Sequence, residues 1–229
     1  MNTYVIDQPD VTGIPVRGSD KSFPIRRIYC IGRNYAAHTI EMGGDPDREE
    51  PFFFQKNAQN ADTSGIFPYP PESHDVHHEV EMVVMIGKRI RKETDLENIR
   101  FSIAAYGVGL DLTLRALQNQ LKEKGLPWER AKAFDGAAPV SGFIDARGIS
   151  VRQNLDVTLE INEAVKQHGH TGLMLFPTFE LLAEISQTFT LEPGDVVFTG
   201  TPAGVGPLNS GDKFTARLGN IIQVFGSVA

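Results

Sequence analysis

The chain has 229 residues, 41% of them hydrophobic and 22% charged, which suits one domain with a sizeable core or a domain plus a short arm. Lys and Arg total 22 against 29 Asp and Glu, a net charge of −7, so the chain has no electrostatic footprint for nucleic acid. Cys30 is the only cysteine, which excludes an intrachain disulfide, and the first ten residues lack the basic start and apolar core of a leader. No apolar run approaches the roughly 18 residues of a membrane helix. The expectation is a cytoplasmic protein without membrane contact.

Residues 1–24 read as an arm in which Pro15 and Pro24 limit regular structure, followed by a single catalytic domain over residues 25–229. Arg26 to Ile31 reads as a strand, with Cys30 in its apolar run as a small buried hydrophobe. Asn34 to Met42 reads as a short helix stopped by Gly43-Gly44, and Pro51 to Gln55 as a short aromatic strand. Asp62 to Asp75, broken by Pro68, Pro70 and Pro71, reads as loop. Val76 to Gly87 is the clearest strand: Val80, Met82, Val84 and Ile86 share one face, and Glu79, Glu81, Val83 and Met85 the other. The basic cluster Lys88, Arg89, Arg91 and Lys92 reads as a solvated turn after it. Thr94 and Glu97 form a capping-box pattern, and Ile103 to Leu110 a second strand. Leu112 to Lys124 is amphipathic through Leu114, Leu117 and Leu121, with Gly125 as its stop. Leu155 to Ile161 alternates like a strand, and Pro177 to Gln187 reads as a helix with proline in its first turn. Glu192 to Asp195 is a turn into the strand Val196 to Thr199, and Gly219-Asn220 joins Phe214–Leu218 to Ile221–Phe225 as a hairpin. Strands outnumber helices and do not alternate with them. This predicts an α+β fold on a mixed or antiparallel sheet rather than a doubly wound one.

Glu79 and Glu81 point the same way from a strand whose neighbouring positions are apolar. Two like charges aimed at an interior must share a proton or bind a cation, whereas on an exposed face they need neither. Asp111 closes the second apolar strand and offers a third carboxylate. Three oxygen donors without thiols favour a hard ion: Mg²⁺, with Mn²⁺ or Ca²⁺ as the other fitting ions. His74, His77 and His78 precede the pair, but their spacing is not the zinc pattern His-Glu-x-x-His. His38 and Glu41 share a helix face, as either a surface pair or a base oriented by a carboxylate. Lys132 lies among small and aromatic residues, and Lys56 follows Phe52-Phe53-Phe54; each is either a pocket cation or a surface lysine. Gly200-Thr201-Pro202-Ala203-Gly204-Val205-Gly206 follows a strand and lacks the Gly-Lys-Ser/Thr of a P-loop, so its backbone N–H groups suit a carboxylate better than a nucleotide.

Taken together, several ordered segments resemble the fumarylacetoacetate hydrolase family in its small acylpyruvate-hydrolase branch. They are Gly32-Arg33-Asn34-Tyr35-Ala36-Ala37-His38 with Glu41, His78-Glu79-Val80-Glu81, and Gly109-Leu110-Asp111-Leu112-Thr113 with Arg115 and Gln118. Pro127-Trp128, Lys132-Ala133-Phe134-Asp135 and Thr199 to Gly206 complete the set, which runs from about Ile25 to the last residue. One departure is Asn57, where the family commonly has proline after the lysine. The resemblance implies a mixed β-roll or sandwich with a few flanking helices, assembled as a homodimer. It implies Mg²⁺ or Mn²⁺ on Glu79, Glu81 and Asp111, and a His38–Glu41 dyad on a lid helix. With Lys132 these form the catalytic set, and Arg33, Lys56, Arg115, Gln118 and Thr201 the substrate-binding set. The implied reaction is hydrolysis of a carbon–carbon bond in an acylpyruvate such as fumarylpyruvate, giving pyruvate and a carboxylic acid. Oxaloacetate decarboxylation or oxo-acid isomerisation at the same site are the alternatives, and a non-catalytic metal-binding protein is the reading from another class.

Overall fold

The computed structural model describes residues 4–45, 51–70, 75–149 and 154–229; His74 of the histidine run lies outside them. A six-stranded mixed sheet forms the centre, in the spatial order Ile144–Asp145, Ile103–Leu110, Val80–Ile86, Asp195–Phe198, Arg27–Gly32 and Phe52–Lys56. Every pairing in it is antiparallel except Asp195–Phe198 with Arg27–Gly32. A five-stranded sheet packs against one face, in the order Ala164–His170, Asp156–Ile161, Lys213–Leu218, Ile222–Val228 and Ile66–Phe67. This is the expected α+β sandwich with few helices.

The alternation in Val80–Ile86 sorts two cores. Val80, Met82, Val84 and Ile86 join the larger one, with Leu159, Leu181, Phe214 and Leu218 from the opposite sheet and its helix. Val83 and Met85 join the smaller one, with Ile28, Cys30, Val140, Phe143 and Phe198. A strand buried on both faces can carry no surplus polar group without a partner. Glu81 shares the Val83 face and is therefore aimed into the smaller core.

Several elements differ from expectation for local reasons. The amino-terminal arm contains a hairpin, Gly13–Pro15 with Ser22–Pro24, whose two prolines close the ends of short edge strands. Its Ile14 is buried in the smaller core. The helix cap is Asp95 rather than Thr94: its carboxylate accepts from Asn98 N at 2.8 Å, while Thr94 Oγ1 accepts from Arg91 N instead. The amphipathic helix starts at Arg115, because Thr113–Leu114 pairs as strand with Val76 and His77. Ile66–Phe67, within the expected loop, pairs parallel with Ser227 and Val228. Strand Ala164–His170 has no counterpart among the expected elements.

Gly109 stands opposite Glu81 in the register. A Cβ there would lie 2.8 Å from Phe198 Cε1 and 2.9 Å from the Pro139 carbonyl. Gly109→Ala therefore overpacks the wall beside the carboxylates. It should cost about 1–3 kcal/mol, read as a lower urea midpoint with unchanged slope; an unaltered midpoint would show that the strands do not meet so closely.

Candidate metal centre

The chain changes sheets at Glu79. Val76–His78 belongs to a small sheet with Thr113–Leu114 and Gly206–Pro207, and Val80–Ile86 to the central one. Asp111 sits at the matching switch between Ile103–Leu110 and Thr113–Leu114, and its N–H donates to the Glu79 carbonyl at 2.8 Å. Cross-strand register then places residues 79, 81, 109 and 111 on one face. Glycine at 109 leaves space, and ligand oxygens of Glu79, Glu81 and Asp111 all lie within 4.8 Å of one another. All three residues are buried, Glu81 and Asp111 at 1% exposure.

Three bases answer the three acids. Lys132 Nζ donates to Glu79 Oε2 and Asp111 Oδ2, each at 2.9 Å. Arg115 donates to Glu79 Oε1 through Nη2 and to Gln118 Oε1 through Nη1 at 2.6 Å. Lys56 Nζ lies 2.8 Å from Asp111 Oδ1 but directs its hydrogens to the carbonyls of Leu112 and Lys132. Asp111 Oδ1 is fully buried and has this ionic contact with Lys56 but no hydrogen bond. Three buried carboxylates converging with oxygen donors alone, one of those oxygens without a hydrogen bond, fit a hard divalent ion.

The electrostatics separate the two glutamates. Burial alone would raise Glu79, but the charges of Lys132 and Arg115 override it and hold the carboxyl well below its ordinary range. Glu81 is pushed well above that range by burial and by the charges of Asp111 and Glu79, against the opposing hydrogen bond from Gly200 N at 2.6 Å. Lys132 is raised, because Asp111 and Glu79 outweigh its burial.

Helix Ala36–Glu41 covers the triad. His38 Nδ1 lies 3.2 Å from Glu41 Oε2, and Glu41 Oε1 accepts from Gly204 N at 2.9 Å. The glycine-rich loop thus does present N–H groups to carboxylates, and they are the protein's own Glu81 and Glu41. The cavity between helix and triad has a volume of about 50 Å³, the space of one or two waters. Arg33, His38, Glu79, Asp111, Arg115, Gln118, Lys132 and Thr201 all border it. Lys56 does not: it is buried behind Asp111, its ammonium held by the carbonyls of Leu112 and Lys132 and by the Asp111 carboxylate. Larger open hollows flank Ile222–Val228 around Phe225, but neither borders the carboxylates.

Three contributors escaped the sequence reading. Asn34 is fully buried and ties the start of the covering helix to Thr199 O at 2.7 Å and Phe176 N at 2.8 Å. Lys122 borders the cavity from the amphipathic helix. Gln167 links Val80, in the strand that carries Glu81, to Thr201 and Pro202 of the glycine-rich loop. Only Asn34 left a signal, its place inside Gly32-Arg33-Asn34-Tyr35.

Residues 27–229 match the family described as fumarylacetoacetate (FAA) hydrolase, C-terminal. The chain is 44% identical to oxaloacetate tautomerase YcgM of Escherichia coli strain K12, over 87% of this chain and 91% of that protein. It is 40% identical to a mitochondrial oxaloacetate decarboxylase of Dictyostelium discoideum, over 81% of this chain and 85% of that one. It superposes on fumarylpyruvate hydrolase from Pseudomonas aeruginosa, solved in complex with Mn²⁺ and pyruvate, with a TM-score of 0.95 at 35% identity and 99% coverage of both chains. No helix among the described residues is long and apolar enough to cross a membrane.

The raised Glu81 carboxyl has a consequence for stability. Between the ordinary value of 4.5 and the raised one, the folded metal-free protein holds a proton that the unfolded chain has released. Stability therefore falls as pH rises through that window. The depressed Glu79 acts below it, contributing stability that is lost as pH drops under 4.5. Glu81→Gln should flatten the decline in melting temperature as pH rises above 4.5 and abolish the rise expected on adding Mn²⁺. An equal slope in the variant would rule out Glu81 as the proton holder.

Proposed function

The chain belongs to the fumarylacetoacetate hydrolase family, and from that membership we propose that it is a metal-dependent hydrolase of acylpyruvates. It cleaves a dicarboxylic substrate of the fumarylpyruvate kind into pyruvate and a carboxylic acid. The observation that carries this reading is the meeting, around one small cavity, of Glu79, Asp111, Lys132 and a histidine oriented by Glu41, with the Glu81 carboxylate within 4.8 Å of the other two. The likeness to the Pseudomonas aeruginosa enzyme over 99% of both chains supports it.

Glu79, Glu81 and Asp111 would hold Mg²⁺ or Mn²⁺, which supplies Lewis-acid polarisation of a bound 2-oxo acid. With Glu81 ionised, the three acids balance Lys56, Lys132 and Arg115, so a divalent ion leaves the cavity two positive charges to offer a dianion. Arg33, held over the Phe52 ring at 5.8 Å, and Arg115 are the cations for the far carboxylate. Glu41 keeps the His38 Nδ1–H toward itself, which leaves Nε2 as the basic nitrogen. His38 takes a proton from water, and the hydroxide oxygen bonds to the acyl carbonyl carbon. The bond between that carbon and the pyruvate methylene breaks, and its electron pair stays on pyruvate as the enolate. Lys132 and Gln118 offset that charge until His38 returns the proton to the methylene. The cavity is small for such a substrate, and an outward movement of helix Ala36–Glu41 would give it room.

A second reading is favoured by the 44% identity to oxaloacetate tautomerase YcgM. The same groups would then move a proton between carbon and oxygen of oxaloacetate, or stabilise the enolate left by its decarboxylation, without attack by water.

His38→Ala should lower kcat on fumarylpyruvate by about 10²- to 10⁴-fold while leaving Mn²⁺ affinity unchanged. Paired assays on fumarylpyruvate and oxaloacetate, with and without EDTA, read this out. Oxaloacetate turnover with inert fumarylpyruvate would replace hydrolysis by the second reading.

A further inference from the structure

Strand Ala164–His170 is the outer strand of its sheet, and Ala164, Val165, Lys166 and His168 are exposed. Gln167 is the exception, at 1% exposure. Two features turn it inward. The pairing with Asp156–Ile161 skips a residue, since Leu159 faces Gln167 and Glu160 faces Val165, so Lys166 forms a bulge. Gly204, at φ +97°, brings the glycine-rich loop so close that a Cβ there would overlap the Lys166 carbonyl.

The Gln167 amide makes four hydrogen bonds. Oε1 accepts from Val80 N at 3.0 Å and lies 2.9 Å from His78 Nδ1. Nε2 donates to Thr201 Oγ1 and to Pro202 O, both at 2.9 Å. The Val80 N–H requires an acceptor opposite it, which fixes the orientation of the amide. Oε1 cannot donate, so His78 must carry a proton on Nδ1. Thr201 Oγ1, having accepted from Gln167, donates to Val80 O at 2.9 Å. Its hydroxyl hydrogen is spent inside the protein, and only a lone pair remains for the cavity that Thr201 borders.

We propose that Gln167 is a positioning residue of the metal centre. It clamps Val80, the residue between two candidate ligands, to the Thr201–Pro202 segment, and it fixes the Thr201 hydroxyl as an acceptor toward the cavity. A ligand group opposite Thr201 Oγ1 must then be a donor, such as an enol hydroxyl or a water, and never a carboxylate oxygen. This rests on the metal centre and not on which oxo acid is turned over.

Two measurements test it. In ¹⁵N-histidine-labelled wild-type protein at neutral pH, the His78 signal, assigned by its loss in His78→Gln, should show the Nδ1–H tautomer. The Nε2–H tautomer overturns the network. Gln167→Met keeps length but removes all four bonds, and Gln167→Glu keeps the acceptor side alone. Mn²⁺ affinity by electron paramagnetic resonance should fall about 10- to 100-fold in the first and less in the second. Both should lose kcat more than they raise KM. A folded Gln167→Met protein with wild-type Mn²⁺ affinity refutes the proposal even if no oxo acid is turned over. Should that variant fail to fold, the wild-type tautomer and Gln167→Glu decide the question.

Discussion

Three carboxylates enclosed in a protein interior are a liability that the surrounding chain must answer. Here the answer comes from four segments: Lys132 bridges Glu79 and Asp111, Arg115 takes the second oxygen of Glu79, Lys56 lies against Asp111, and Gly200 N–H meets Glu81. The satisfaction is uneven: Asp111 Oδ1 has an ionic contact but no hydrogen bond, and burial beside two other carboxylates pushes Glu81 above its ordinary range. The sheet switch, the covering helix and the glycine-rich loop together enclose this cluster.

Much of this was legible in the sequence, for identifiable reasons. A strand buried on both faces keeps its period of two, so the shared direction of Glu79 and Glu81 could be read directly. The short helix at His38 and the final hairpin carried strong glycine stops. What escaped depended on partners distant in sequence. The break at Glu79 exists because Val76–His78 pairs with Thr113–Leu114 and Gly206–Pro207, and no local pattern encodes that pairing. Lys56 reads the same whether its ammonium faces a cavity or two carbonyls. Gln167 sits among exposed residues on an edge strand, and only the bulge at Lys166 turns it inward.

The glycine-rich loop shows how a correct chemical reading can find an unforeseen guest. Its backbone N–H groups do meet carboxylates, at Gly200 and Gly204, but these belong to Glu81 and Glu41. One short segment therefore touches a candidate ligand, the candidate dyad and, through Thr201 and Pro202, the Gln167 amide. Conformational freedom at its glycines serves close backbone approach rather than mobility: a Cβ at Gly200 would collide with Asn34, and one at Gly204 with Lys166.

The central sheet is not laid down in chain order. Asp195–Phe198 lies between Val80–Ile86 and Arg27–Gly32, two strands made more than a hundred residues earlier. During synthesis those early strands cannot close on each other, because their shared neighbour has not yet left the ribosome. Both would meanwhile present unpaired edges and apolar faces, and the acidic triad would have no finished wall behind it. Completion of the sheet and completion of the candidate cation site are thus the same late event. A truncated nascent chain would be more prone to aggregate than to act as a stray metal binder.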